Sequence, residues 1–79
     1  MAAERVLRWE SPQRYYAARV YEDLLGDTVV GRSWGGLHNN VGNTDTVVVM
    51  TPEGAAREIE EINARRTAHH YTLVADQEQ

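Results

Sequence analysis

One helix start governs what this chain can fold into: Thr51-Pro52-Glu53-Gly54. A hydroxyl N-cap, a proline at the first helical position and an acidic residue beside the positive end of the dipole together mark a helix N-terminus. Ala55, Ala56, Ile59 and Ile62 follow at helical spacing, whereas Glu58, Glu60, Glu61 and Arg65 point elsewhere. The spacing predicts an amphipathic helix through about Arg66, whose apolar stripe has to cover a sheet.

The segments around that helix follow the strand period. Glu4 to Glu10 alternates, with Leu7 and Trp9 on one face and Val6, Arg8 and Glu10 on the other, until Ser11-Pro12-Gln13 breaks the pattern. Arg14 to Leu24 is rich in strand formers: Tyr16, Ala18 and Val20, with Leu24, line one side, and Tyr15, Ala17, Arg19 and Tyr21 the other. Gly26-Asp27 suits a tight hairpin with glycine first, returning the chain as an antiparallel strand over Thr28 to Trp34. The glycines and asparagines of Gly35 to Asn43 predict a flexible loop. Thr44 to Met50 then resumes as a strand whose apolar run implies cover on part of both faces. His69 to Ala75 reads as a last strand. The expected fold is α+β: an antiparallel sheet of about five strands in the order β-β-β-β-α-β, with one helix packed on one face.

At 79 residues the chain is expected to be a single domain over residues 4–75, with short polar tails at 1–3 and 76–79. So short a chain needs nearly all of its 42% hydrophobic residues in one core. The absence of cysteine excludes disulfides, thiolate metal sites and cysteine nucleophiles. The apolar runs fall far short of the roughly 20 residues that span a bilayer, and Met1-Ala2-Ala3-Glu4 lacks a secretory pattern, so a cytoplasmic protein without a membrane partner is expected. A net charge of −4 disfavours indiscriminate nucleic-acid binding and leaves room for a local patch. All eight basic residues are arginine, whose planar fork suits phosphate and aromatic faces. A GC-rich coding sequence produces the same bias.

Four segments, in order, carry a family resemblance. They are Leu7-Arg8-Trp9-Glu10, Arg14 to Asp23 with its Tyr-Glu-Asp ending, Val30-Gly31-Arg32-Ser33-Trp34-Gly35, and Thr51-Pro52-Glu53-Gly54-Ala55-Ala56-Arg57. Together they resemble the WGR domain, a small module found in DNA-dependent poly(ADP-ribose) polymerases and in free-standing bacterial proteins. The resemblance spans nearly the whole chain and departs from the family at one point: Gly36 stands where the name-giving arginine belongs. In the family the tryptophan contacts the end of a DNA strand and the arginine couples DNA to neighbouring domains. The resemblance therefore implies a DNA-contacting role for Trp34 and leaves the coupling role without a residue.

Arg32 and Trp34 lie two apart in a strand, so they share a face, and the guanidinium can lie over the indole. An exposed aromatic beside an arginine offers a base a stacking platform and a nearby phosphate a charge. The candidate nucleic-acid-binding set is Arg32, Trp34, Gly35, His38 and Asn39; the alternative for Trp34 is an ordinary core aromatic. Arg5, Arg8, Arg14 and Arg19 alternate faces and predict scattered, solvated arginines. Arg57, Arg65 and Arg66 predict surface support for the helix, with Glu61 and Arg65 paired at i,i+4. His69 and His70, adjacent in a strand, face opposite sides and cannot easily chelate one ion, and no nucleophile turn frames Ser33. The expected function is that of a non-enzymatic binding module, without metal or cofactor, contacting a DNA end or single strand. The alternative is a protein-interaction or self-association module.

Overall fold

The computed structural model describes residues 4–39, 42–49 and 51–78. These form β1 (Arg5–Glu10), β2 (Arg14–Glu22), β3 (Thr28–Gly36), β4 (Gly42–Val48), α1 (Pro52–Ala68) and β5 (Thr72–Glu78). The five strands make one antiparallel sheet in the order β4-β3-β2-β1-β5, so the fold is α+β as the sequence implies. The first four strands meander, and α1 then carries the chain across the sheet to set β5 beside β1.

The core lies between α1 and one sheet face. Leu7 and Trp9 of β1, Ala18 of β2 and Val30 of β3 are buried against Ala55, Ile59 and Ile62 of α1. Strand parity selects the first four and helical spacing the last three. Ala56, grouped with that stripe in the sequence, is exposed, because the 55–59–62 line already faces the sheet. Trp9 is fully buried, and its indole Nε1–H donates to Asn63 Oδ1 at 2.9 Å, which satisfies the ring's one polar atom from the helix above it. At the start of α1, the Thr51 side chain accepts from the Gly54 N–H at 3.0 Å.

Several boundaries differ from the sequence expectation. The β2–β3 connection runs from Asp23 to Asp27, the Asp23 N–H donating to the Asp27 carbonyl at 2.9 Å across its base, and is not a two-residue turn led by glycine. Gly26 closes it at φ +85°, and the Asp23 carboxylate accepts from the N–H groups of Leu25 and Asp27 at 2.9 and 3.0 Å. That leaves Leu24 outside the strand and fully exposed. Gly35 and Gly36 extend β3, and Gly42 and Asn43 open β4, so the loop between them is shorter than expected; Asn40 and Val41 lie outside the described residues.

β4 is an edge strand and mostly exposed, which corrects the expectation of cover on both faces. Val49, the residue after its end, serves the turn into α1: it donates its N–H to the Thr28 carbonyl at 3.0 Å and packs against the core. Met50, assigned to this strand from sequence, is outside the described residues.

His69 and His70 are not in a strand. They end α1, with His70 at φ +67° and the N–H groups of His70 and Tyr71 returning to the carbonyls of Thr67 and Arg66 at 3.1 and 2.9 Å. This is a Schellman turn in which histidine takes the left-handed position that usually belongs to glycine. Asp76 to Glu78, expected as a polar tail, belong to β5, and Asp76 receives the Arg5 guanidinium at 2.9 and 3.0 Å across the β1–β5 pairing. Residues 1–3 and Gln79 of the expected tails are outside the described residues. Among the described residues no helix is long and apolar enough to cross a membrane.

Candidate functional site

One helix cannot cover this sheet. Five strands about 4.8 Å apart span about 19 Å between the outer strand axes, whereas a helix with its side chains is about 10–12 Å across. α1 enters beside Val49 and crosses obliquely, lying over Trp9 and Tyr16 by the time it reaches Asn63 and Arg66. The far corner of the same face, where β3 and β4 approach the β1–β2 turn, is left open.

Two cross-strand rows run out of the core into this corner. The first is Trp9, Tyr16, Trp34 and Asn43; the second is Leu7, Ala18, Arg32 and Asp45. Each row begins buried and apolar on β1 and ends exposed and polar on β4. The uncovered part is a cleft of about 870 Å³, whose wall includes Arg14, Tyr16, Arg32, Trp34, Arg66 and Tyr71. All five residues of the sequence-derived set, Arg32, Trp34, Gly35, His38 and Asn39, line it.

Trp34 is half-buried, and its ring stacks on Tyr16 with centroids 6.0 Å apart and planes 13° from parallel. The core aromatic of the row is Trp9, which meets the other side of Tyr16 edge-on at 6.0 Å. The expected stacking partner of Trp34 was Arg32. The two do share a face, but the Arg32 guanidinium turns to the Asp45 carboxylate on the neighbouring strand. A cross-strand carboxylate offers a charge-assisted hydrogen bond, which is stronger than a solvent-facing cation–π contact.

The cation over the aromatic row comes instead from the helix. The Arg66 guanidinium lies 4.7 Å from the Tyr16 ring centre and 5.2 Å from that of Tyr71, bridging the two rings. The Schellman turn at His70 delivers Tyr71 to this place. Sequence reasoning assigned Arg66 no function, yet a signal was present: Ala55, Ile59, Ile62 and Arg66 continue one stripe at steps of four, three and four. Arg14, expected as one of the scattered, solvated arginines, has the strand parity of Tyr16 and Ala18 and lines the same cleft. The expected Glu61–Arg65 pair is not among the ion pairs of the described residues.

Charge separates this cleft from the rest of the molecule. The chain carries a net charge of −4, yet no Asp or Glu is among the described residues lining the cleft. Arg14 and Arg66 in the cleft, like Arg57 and Arg65 outside it, have no carboxylate partner among the described residues, whereas Arg5, Arg8, Arg19 and Arg32 each have one. The Asp45 carboxyl is held below its usual pKa, first by the Thr46 N–H and then by Arg32.

The glycine at 36 has a local explanation. A side chain at Gly36 would begin within 2.5–2.8 Å of the Asn39 amide group, so the residue at 36 must be small while Asn39 sits against it. The Leu37 N–H donates to the Gln13 carbonyl at 2.9 Å, tying this end of β3 to the β1–β2 turn and closing one side of the cleft. No protein-family model, no curated protein and no solved structure matches the chain.

Proposed function

We propose that this is a WGR-like, non-enzymatic binding module that takes a single strand or a strand end of nucleic acid into the Trp34 cleft. The observation that carries this reading is the composition of the cleft: an aromatic row, two arginines without carboxylate partners, and no carboxylate among its described lining, in a protein of net negative charge. Base–aromatic stacking contributes about 1–3 kcal/mol per base, and a guanidinium over the ring edge places positive charge where a backbone phosphate passes. The acidic remainder of the surface repels nucleic acid and confines it to this corner.

A protein-interaction or self-association module is the second reading. Leu24 and Leu25, 105% and 87% exposed at the tip of the β2–β3 hairpin, favour it, as does the uncovered β4 edge.

NMR titration with a short single strand, and with duplexes carrying or lacking a 5′ phosphate, separates the two. The nucleic-acid reading expects saturable, salt-weakened shifts at Arg32, Trp34, Gly35, His38 and Asn39, and loss of at least tenfold in affinity for Arg66→Gln. No shift at low salt overturns it. Self-association through the Leu24–Leu25 tip would instead appear as concentration-dependent light scattering abolished by Leu24→Ser.

A further inference from the structure

We propose that Arg32 is a third, guarded oxyanion subsite of the cleft: Asp45 occupies one arm of its guanidinium and gives way to a phosphate of the bound strand. The ligand's identity rests on the function proposed above; the subsite itself rests on the geometry of Arg32 and Asp45.

The Arg32 fork is only partly used. Nη2 donates to Asp45 Oδ2, while Nε is buried and has no hydrogen-bond partner among the described residues. Leaving such a donor unmet costs about 1–3 kcal/mol, and more for a charged group. A carboxylate on the facing strand reaches Nη2 alone, whereas a phosphate entering from the cleft side can accept from two nitrogens in the bidentate manner that guanidinium favours; Nε, buried where it stands, joins that contact only as the head turns away from Asp45. The stem of Arg32 lies in the row of Leu7 and Ala18, both buried, so only the head is free to change partner.

Asp45 is suited to release it. Its side chain is 49% exposed on the edge strand, and its other oxygen already accepts from the Thr46 N–H at 2.8 Å. On leaving Arg32 the carboxylate keeps that bond and gains water. Arg32 and Trp34 stand two residues apart on one face of β3, about 6.5–7 Å along the strand, so a base stacked at Trp34 carries its backbone past Arg32. Arg14 and Arg66 have no such guard among the described residues. An isolated anion must therefore displace Asp45 unaided, whereas a strand anchored by stacking does so at high local concentration.

The test compares the wild type, Asp45→Asn and the Arg32→Gln/Asp45→Asn double variant, using inorganic pyrophosphate in one arm and an eight-residue oligothymidylate in the other, with the Arg32 Nε–H NMR signal as readout. The expected result is a saturable shift of that signal with pyrophosphate, about tenfold tighter in Asp45→Asn; in the double variant, read from the Trp34 and Gly35 backbone amides, pyrophosphate binding should be lost. With the oligonucleotide, Asp45→Asn should bind more tightly at an unchanged salt slope, and the double variant should flatten that slope by about 0.7, the loss of one phosphate contact on a single strand. If Asp45→Asn binds pyrophosphate no better than wild type and the Arg32 signal stays still, the subsite is overturned. Oligonucleotide binding that leaves Arg32 unmoved in both proteins overturns the subsite and keeps the nucleic-acid reading. Pyrophosphate engaging Arg32 while the oligonucleotide binds nowhere keeps the subsite and overturns that reading.

Discussion

Trp9 and Trp34 occupy the same cross-strand row of the same sheet face, with Tyr16 between them, and they meet opposite fates. Trp9 has α1 overhead and Asn63 on its indole nitrogen; Trp34 has Tyr16 on one side and the cleft beyond. Nothing in the local sequence of either residue decides this. The difference arises from the width of the sheet against the width of one helix and from the oblique path of that helix. Where the lid lies, an aromatic serves stability; where it ends, the same residue type is available to a partner.

Substitution of the two rings should separate them most sharply. Trp9→Ala removes a fully buried ring and is expected to cost about 3–5 kcal/mol, much of the stability of a domain this small, as read by urea denaturation. Trp34→Ala forfeits partial burial and one stack, about 1–2 kcal/mol, and should leave the protein folded while abolishing oligonucleotide binding. Equal destabilisation by the two would end the distinction between a structural and a binding tryptophan. Asn63→Ala tests the lid more finely: removing the indole's acceptor should cost about 0.5–1.5 kcal/mol and leave binding intact.

Much of the fold was legible because it follows short-range periods. Leu7 and Trp9 declare an inward face by alternation, and Thr51-Pro52 declares a helix start by cap chemistry, so the element order and the buried 55–59–62 stripe could be read directly. What could not be read depends on residues far apart in sequence. The stacking of Trp34 on Tyr16 is a matter of β2–β3 register across 18 positions. The place of β5 beside β1 is set by where α1 delivers the chain, and the exposure of β4 by its having a neighbour on one side only. The five-residue candidate set fell within one cleft because Arg32, Trp34 and Gly35 share a strand and His38 and Asn39 follow it directly. Arg66 and Tyr71 come from the other end of the chain, and only the packed helix brings them in.

The smallest expected effect lies where the lid stops. His70 holds φ +67° with a side chain that disfavours it, so His70→Gly should raise stability by about 0.5–1 kcal/mol, measured by thermal denaturation. If the turn also fixes Tyr71 against Arg66, the gain comes without loss of affinity, since glycine keeps the same backbone path. A fall in affinity would show that the histidine side chain itself matters to the cleft.

The contact between Gly36 and Asn39 limits how this module can change. A larger side chain at 36 displaces the Asn39 amide, the free end of a side chain, so the cost of such a change is set by how readily that amide finds another seat. The two positions are therefore coupled: the end of β3 admits bulk at 36 only as far as the residue three places on can swing clear.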